Sequence, residues 1–384
     1  MQTRLTPLLA AVVAAFLCVA PLRAQDKFAG VPVAEQPFVD KGDISGAVML
    51  VATKDKILHL SAVGQSDLAS GRKLETGDLF WIASMSKPIT ATCVAILADD
   101  GKLAFDDPVE KYLPEFRNLW LMSEQAADRR VLVKPAHSIT LRELMTHTSG
   151  LGEYGVTGPH WTLAEMSRAL TREPMRFAPS SRWGYSTAGI DTLGRVVEVV
   201  SGMPFATFMQ KRIFDPIGMT HTTFWPSSEQ KKHLATSYRM NPAGKLEPTT
   251  ISYMYAGDIT DAGRPALGGA GLFSTAEDIA KFYQMILNNG TAGGQRILKP
   301  ETLAEMTRKQ TGELKARPGM PWGLGFCVVE DPKLMEANNT FSSGSFGHGG
   351  AYGTQSWADP TRNLIYVFMI QRDRIPNNPD NSPM

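Results

Sequence analysis

Two pairs of short apolar runs, one near each end of the chain, constrain the fold more than any other feature. Residues 47–52 and 57–63 flank Lys54, Asp55 and Lys56, while residues 354–358 and 364–370 flank Asp359, Pro360, Thr361 and Arg362. Apolar runs of this length closed by a tight polar turn predict two β-hairpins. Both chain ends are therefore expected to supply strands to one sheet.

Between the hairpins the signals turn helical. Thr140-x-x-Glu143 and Ser274-x-x-Glu277 have the spacing of capping boxes, in which hydroxyl and carboxylate satisfy each other's free amide donors. Ile279, Phe282, Tyr283, Ile286 and Leu287 then fall on one helical face, and Asn288, Asn289 and Gly290 end it. A further helix over 190–200 groups Leu193, Val197 and Val200 and stops at Ser201 and Gly202. Glycine- and proline-rich stretches at 149–159, 241–248 and 256–271 predict long loops, and pocket shape is expected to lie in loops at 118–136, 152–176 and 250–270. No internal repeat interrupts this pattern. It predicts an α+β fold: an antiparallel sheet formed from both chain ends and flanked by helices, with a mostly helical insertion lobe. The α/β lobe is expected at about 25–90 plus 265–384 and the helical lobe at about 91–264.

With 384 residues, 43% hydrophobic and 20% charged, the chain is long enough for one large domain or two lobes. A formal net charge of +1, and no basic cluster longer than Arg129-Arg130 with Lys134 nearby, argue against nucleic acid as a partner. Arg4, an apolar run over 8–20 and then Leu22, Arg23 and Ala24 read as a secretory signal peptide over 1–24, cut after Ala24. That run is too short to span a bilayer, and Leu17 before Cys18 stands where a lipoprotein signal needs a small residue. A periplasmic or secreted protein without a stable membrane anchor is expected. Cys93 and Cys327 then remain and are read as two separately buried thiols.

The most informative segment begins at Trp81. Ile89, Cys93, Ile96 and Leu97 recur at helical spacing, Ser84 is a natural N-cap, and Pro88 falls in the first turn, where its missing donor costs little. Ser84 and Lys87, three apart, then share one face of a helix start. The helix N-terminus favours negative charge, which helps a developing alkoxide and opposes protonation of a nearby amine, so Lys87 can take the serine's proton. Alone, Ser-x-x-Lys also fits an ordinary capped helix with a solvated lysine. Two further segments bear on that choice: Tyr185-x-Thr187 ahead of the helix near 190, and His348-x-Gly350 leading into the C-terminal hairpin. Glycines at a strand start permit a ligand to approach backbone amides.

These three segments, in this order, resemble the three motifs of serine β-lactamases, DD-peptidases and related esterases, especially the class C branch. The phrases His147-Thr148-Ser149-Gly150-Leu151, Gly268 through Asp278, and Trp322-Gly323-Leu324-Gly325 extend the resemblance over nearly everything after residue 24. The resemblance implies that Ser84 attacks a carbonyl, that Lys87 and Tyr185 share its proton and return it to the leaving group, and that water cleaves the acyl-enzyme. It further implies an oxyanion hole made by the amides of Ser84 and Ala351, with His348, Gly350 and Thr187 binding substrate. Each donor of such a hole is worth about 3 kcal/mol of barrier.

Two departures bear on substrate. Thr187 replaces the asparagine usual in class C enzymes and makes fewer simultaneous contacts to an amide. His348 replaces the lysine of a Lys-Thr-Gly strand, and a histidine is a weaker cation, titratable near neutral pH. Both lean toward small-molecule esters rather than amides; the alternatives are a β-lactamase or D-Ala-D-Ala-type peptidase, and a non-catalytic binding or scaffold member. An α/β-hydrolase elbow is rejected, since Gly184-Tyr185-Ser186-Thr187-Ala188 ends in alanine and follows no strand. His147 is read as part of a structural turn. The seven histidines show no His-Glu-x-x-His spacing, so no metal and no cofactor are expected.

Overall fold

A computed structural model describes residues 27–154, 158, 160–251, 258–335 and 340–373. The expected signal segment over 1–24 lies outside them. Both hairpins form as expected. Strands β1 (Gly46–Ala52) and β2 (Ile57–Asp67) make the first, with a short β3 (Arg72–Lys73) beside β2. Strands β4 (Cys327–Val328), β5 (Phe346–Gly349), β6 (Gln355–Asp359) and β7 (Leu364–Met369) make the C-terminal part. Among the described residues these seven form one sheet in the order β4-β5-β6-β7-β1-β2-β3, with each neighbouring pair antiparallel.

The sheet closes where the two chain ends meet. Val48 pairs with Met369, Leu50 with Val367 and Ala52 with Ile365, and all six side chains are buried. Helix α1 (Gly30–Asp40) packs along β2, and helix α5 (Ala276–Leu287) packs against β1 and β7. With cover on both faces, β1 reads as a continuous apolar run instead of an alternating one. The fold is α+β, as the pattern of strands and helices predicts.

Helix α2 (Ser86–Asp99) is enclosed all round, and every side chain from Ser86 to Leu97 is buried. Its polar residues are therefore paired inside the protein. Thr90 Oγ1 donates to the Gly268 carbonyl at 2.7 Å, Thr92 Oγ1 to that of Pro88 at 2.9 Å, and Ser86 Oγ to that of Ala83 at 2.6 Å. Helices α3 (Leu141–Met145) and α4 (Thr187–Ser201) lie in the helical middle, and α2 packs on α4.

The local expectations meet mixed outcomes. Thr140 and Glu143 form their capping box, and Gly202 ends α4 with φ +71°, a left-handed conformation suited to glycine. The cap of α5 is displaced by one residue: Thr275 accepts from the Asp278 amide, while Ser274 Oγ pairs with Thr222 Oγ1 at 2.7 Å. The loop expected over 118–136 carries an exposed hairpin, Leu121–Gln125 with Arg130–Val133. Residues 241–245 are the turn between two short strands, Tyr238–Met240 and Leu246–Pro248. The stretch at 152–176 contains the helix Leu163–Leu170, capped by Thr162 and Glu165. Cys93 and Cys327 are both fully buried, in different clusters, the second beside Trp322 and Trp357.

Candidate active site

Ser84 does not cap α2. It lies in a 3-10 turn, Ala83–Met85, that precedes the helix, and no side chain among the described residues caps the helix start. The Met85 amide bonds back to the Ile82 carbonyl at 3.0 Å, so backbone closes the turn and the Ser84 hydroxyl is not consumed by it. Ala83 enters the turn with φ +46°, a left-handed conformation that costs a non-glycine residue about 1–3 kcal/mol. Strain of that kind just before Ser84 is held by the surrounding packing.

Lys87 Nζ, fully buried, donates to Ser84 Oγ at 3.1 Å, to the Gly269 carbonyl at 2.7 Å and to Thr187 Oγ1 at 3.4 Å. It also lies 4.7 Å from the centroid of the Tyr185 ring. The amine thus joins the turn, the start of α4 and the loop at 268–271. That loop was expected only as a loop; Gly269 and its support Asp191 were not expected in the site. Asp191 Oδ1 accepts from the Gly269 amide at 2.7 Å, and burial raises its carboxyl to about 7. A β-carbon at Gly269 would lie 2.6 Å from Thr187 Cγ2, so only glycine fits there. Glu153 also escaped the sequence reading: its carboxylate accepts from the Thr187 and Ala188 amides at 2.7 and 3.0 Å, anchoring the N-terminus of α4.

On the sheet side, β5 brings His348 to the same place, its ring 6.2 Å from that of Tyr185. Gly350 serves a protein contact: a β-carbon there would collide with Thr354 Oγ1 and the Ile82 carbonyl. The end of β5 can therefore press against the residue that leads into the Ser84 turn. Ala351 consequently packs in one cluster with Ala83.

His348 corrects one expectation. It is fully buried, and burial, reinforced by the charge of Lys87, holds it well below the usual imidazole range. Its Nδ1 bonds the Gly349 carbonyl at 2.5 Å, so that nitrogen carries the proton and Nε2 keeps a lone pair. It is a neutral acceptor, not a cation titrating near neutral pH. His147, read from sequence as part of a turn, is also in the site, with its ring 4.4 Å from that of Tyr185. Trp183 and Trp322 complete this aromatic wall, 5.3 Å apart by ring centroid, and the Arg317 guanidinium lies 5.5 Å over the Trp322 ring. The phrases containing both tryptophans were visible in sequence, but nothing in their spacing placed them together.

Among possible metal ligands, Glu75, Asp78 and His233 bring donor atoms within 4.8 Å of one another. Asp78 is already committed, accepting from Arg72 at 2.8 Å and from the Glu75 amide at 2.9 Å.

A hydroxyl held by a buried amine at a tight turn, beside an antiparallel sheet drawn from both chain ends, defines the class: a serine hydrolase on the β-lactamase fold. The chain belongs to the Beta-lactamase family, whose model matches residues 33–382. Esterase EstB of Burkholderia gladioli is 32% identical over 358 residues, covering 84% of this chain and 85% of its own. Lovastatin esterase of Penicillium rubens is 30% identical over 370 residues, covering 88% and 91%. The structure of EstCE1, a hydrolase with promiscuous acyltransferase activity, is similar with a TM-score of 0.75 and 27% identity, covering 89% of this chain and 93% of its own.

Proposed function

We propose that the protein hydrolyses small-molecule esters through an acyl-enzyme on Ser84. The observation that carries this reading is the 3.1 Å bond between Lys87 Nζ and Ser84 Oγ in a buried setting. Bonded as it stands, Lys87 is an ammonium donating to Ser84 Oγ; once it has released a proton to solvent its amine turns acceptor and takes the serine proton while Oγ attacks the ester carbonyl, and the backbone amides of Ser84 and Ala351 hold the oxyanion. Collapse breaks the bond to the alcohol, which leaves with a proton passed through Lys87 and Tyr185. Water then adds to the acyl-enzyme by the same path, freeing the carboxylic acid and restoring the Ser84 hydroxyl.

Three facts support esters over β-lactams or D-amino peptides. Thr187 offers a single hydroxyl where a carboxamide would grip an amide, and it already accepts from Lys87. His348 is neutral, so its side chain offers a substrate carboxylate no charge of its own. EstB and the lovastatin enzyme, both named as esterases, share about a third of the sequence. The signal-like segment over 1–24 adds export to the periplasm or medium to the proposal.

The test combines a panel of short-chain p-nitrophenyl esters, nitrocefin and a D-Ala-D-Ala peptide with fluorophosphonate labelling read by intact mass. Ser84→Ala should abolish labelling and lower kcat by about 10⁴–10⁶, whereas Ser86→Ala should still label. An adduct that persists in Ser84→Ala removes Ser84 as nucleophile. Faster turnover of nitrocefin than of every ester overturns the substrate class.

A further inference from the structure

His147 makes contacts that a simple turn residue does not need. Its backbone has φ +60°, in the left-handed region where a histidine is uncommon. From that position it reaches both neighbours of Tyr185: its carbonyl accepts the Gly184 amide at 2.8 Å, and its Nδ1 accepts the Ser186 amide at 3.2 Å. The ring lies against Tyr185 at 4.4 Å, tilted by 38°. Because the Ser186 amide can only donate, Nδ1 must keep its lone pair, which places the proton on Nε2. An imidazolium would set one N–H against another. Both segments also close on Phe177, since a β-carbon at Gly184 would lie 2.7 Å from Phe177 Cε1 and one at Gly150 would strike the Phe177 carbonyl.

We propose that His147 is a positioning residue that fixes the Tyr185 ring for proton transfer, through the Nδ1 bond to Ser186 and the tilted contact of its ring. The inference rests on the role given to Tyr185 above. The amides of both residues that neighbour Tyr185, Gly184 and Ser186, are tied to one residue of a distant segment, so Tyr185 cannot shift far without breaking a buried bond. A displacement of about 1 Å at a proton-transfer group can cost about a hundredfold in rate.

Two substitutions separate the parts. His147→Phe keeps a ring but removes the acceptor, leaving the Ser186 amide without its partner. His147→Asn keeps an acceptor, since Oδ1 stands at the position of Nδ1, and asparagine tolerates the left-handed backbone. With p-nitrophenyl butyrate, His147→Phe should lower kcat about 30- to 100-fold with KM within about threefold. His147→Asn should recover at least about tenfold of that loss, and in a Tyr185→Phe background His147→Phe should cost less than about threefold more. Circular dichroism and thermal unfolding establish that each variant is folded. If His147→Phe does not fold, His147→Asn decides alone: a folded His147→Asn enzyme slowed more than about 30-fold overturns the proposal. An equal loss with and without the Tyr185 hydroxyl also overturns it, since His147 then does not act through Tyr185. A near-normal Tyr185→Phe would instead remove the reading of Tyr185 itself and the inference with it.

Discussion

The two walls of the site treat their polar atoms differently. On the lysine wall, Lys87 Nζ bonds Ser84, Thr187 and Gly269, and Ser86 Oγ both donates to the Ala83 carbonyl and accepts from the Leu272 amide at 3.2 Å. On the aromatic wall, the buried atoms His147 Nε2, His348 Nε2, Trp183 Nε1 and Trp322 Nε1 have no hydrogen-bond partner among the described residues. Leaving such an atom unpaired costs about 1–3 kcal/mol, a cost that structure alone gives no reason to retain. The lysine wall is built for a fixed geometry of proton exchange. The aromatic wall instead packs ring against ring, with no net charge on either imidazole.

That division is tested most severely at Tyr185, which stands on the aromatic wall yet shares the proton path with Lys87. Lys87→Ala and Tyr185→Phe should each lower kcat on p-nitrophenyl butyrate by about 10²–10⁴, and the double variant should lose little more than the worse single one. Steady-state kinetics of the four proteins measures this. Full additivity would show that Tyr185 belongs to recognition alone and that proton exchange is confined to the lysine wall.

The lysine wall was also the more legible in sequence. Ser84 and Lys87 are three residues apart, and a helical turn converts that spacing directly into a 3.1 Å contact. The hairpins 46–64 and 354–370 were equally plain because pleat and turn are local properties. The cap at Ser84 was misread because the sequence does not distinguish a helix N-cap from a 3-10 turn closed by backbone bonds. The aromatic wall depends on long-range packing: His147 meets Ser186 across 39 residues, and His348 belongs to another strand of the chain. Its charge state was misjudged for the same reason. A histidine's protonation follows from burial and from the Gly349 carbonyl, neither of which can be read from His348-x-Gly350. Gly350 was recognised as necessary, but its reason, contact with Ile82, appears only in three dimensions.

Neutrality of the aromatic wall has a consequence for stability. In the unfolded chain His348 would titrate near about 6.5, whereas burial holds the folded imidazole well below that. Below that pH the unfolded state binds a proton that the folded state refuses. Its contribution is therefore complete above about 6.5 and is lost as pH falls, by about 1.4 kcal/mol per pH unit until the folded group itself titrates. His147 acts in the same direction, and Asp191, raised to about 7 by burial, acts in the opposite one. The wild-type curve mixes all three, so the useful quantity is a difference. Urea unfolding from about pH 7 to 5 should show a smaller acid loss for His348→Gln than for wild type, by up to about 2 kcal/mol. Parallel curves would mean that His348 titrates normally in the folded protein and would restore a cation to the aromatic wall.

The smallest expected effect concerns the residue where the walls meet. Thr187 accepts from Lys87 at 3.4 Å and packs its methyl against Gly269, so it belongs to the lysine wall by contact and to substrate recognition by resemblance. If its single hydroxyl is what disfavours amides, Thr187→Asn should raise kcat/KM for nitrocefin relative to p-nitrophenyl butyrate, because specificity is a difference of transition-state free energies. The gain should be about tenfold, since one added hydrogen bond is worth about 1 kcal/mol net. Adding His348→Lys should not extend the gain. Position 348 is 1% exposed, and an ammonium there would lose its hydration without a carboxylate to meet it, so the double variant should be less stable and no better on nitrocefin. Kinetics of the three proteins on both substrates, with urea midpoints beside them, tests both statements. A large further gain from the lysine would show that the aromatic wall accepts a charge after all, and that His348, not Thr187, sets the preference for esters.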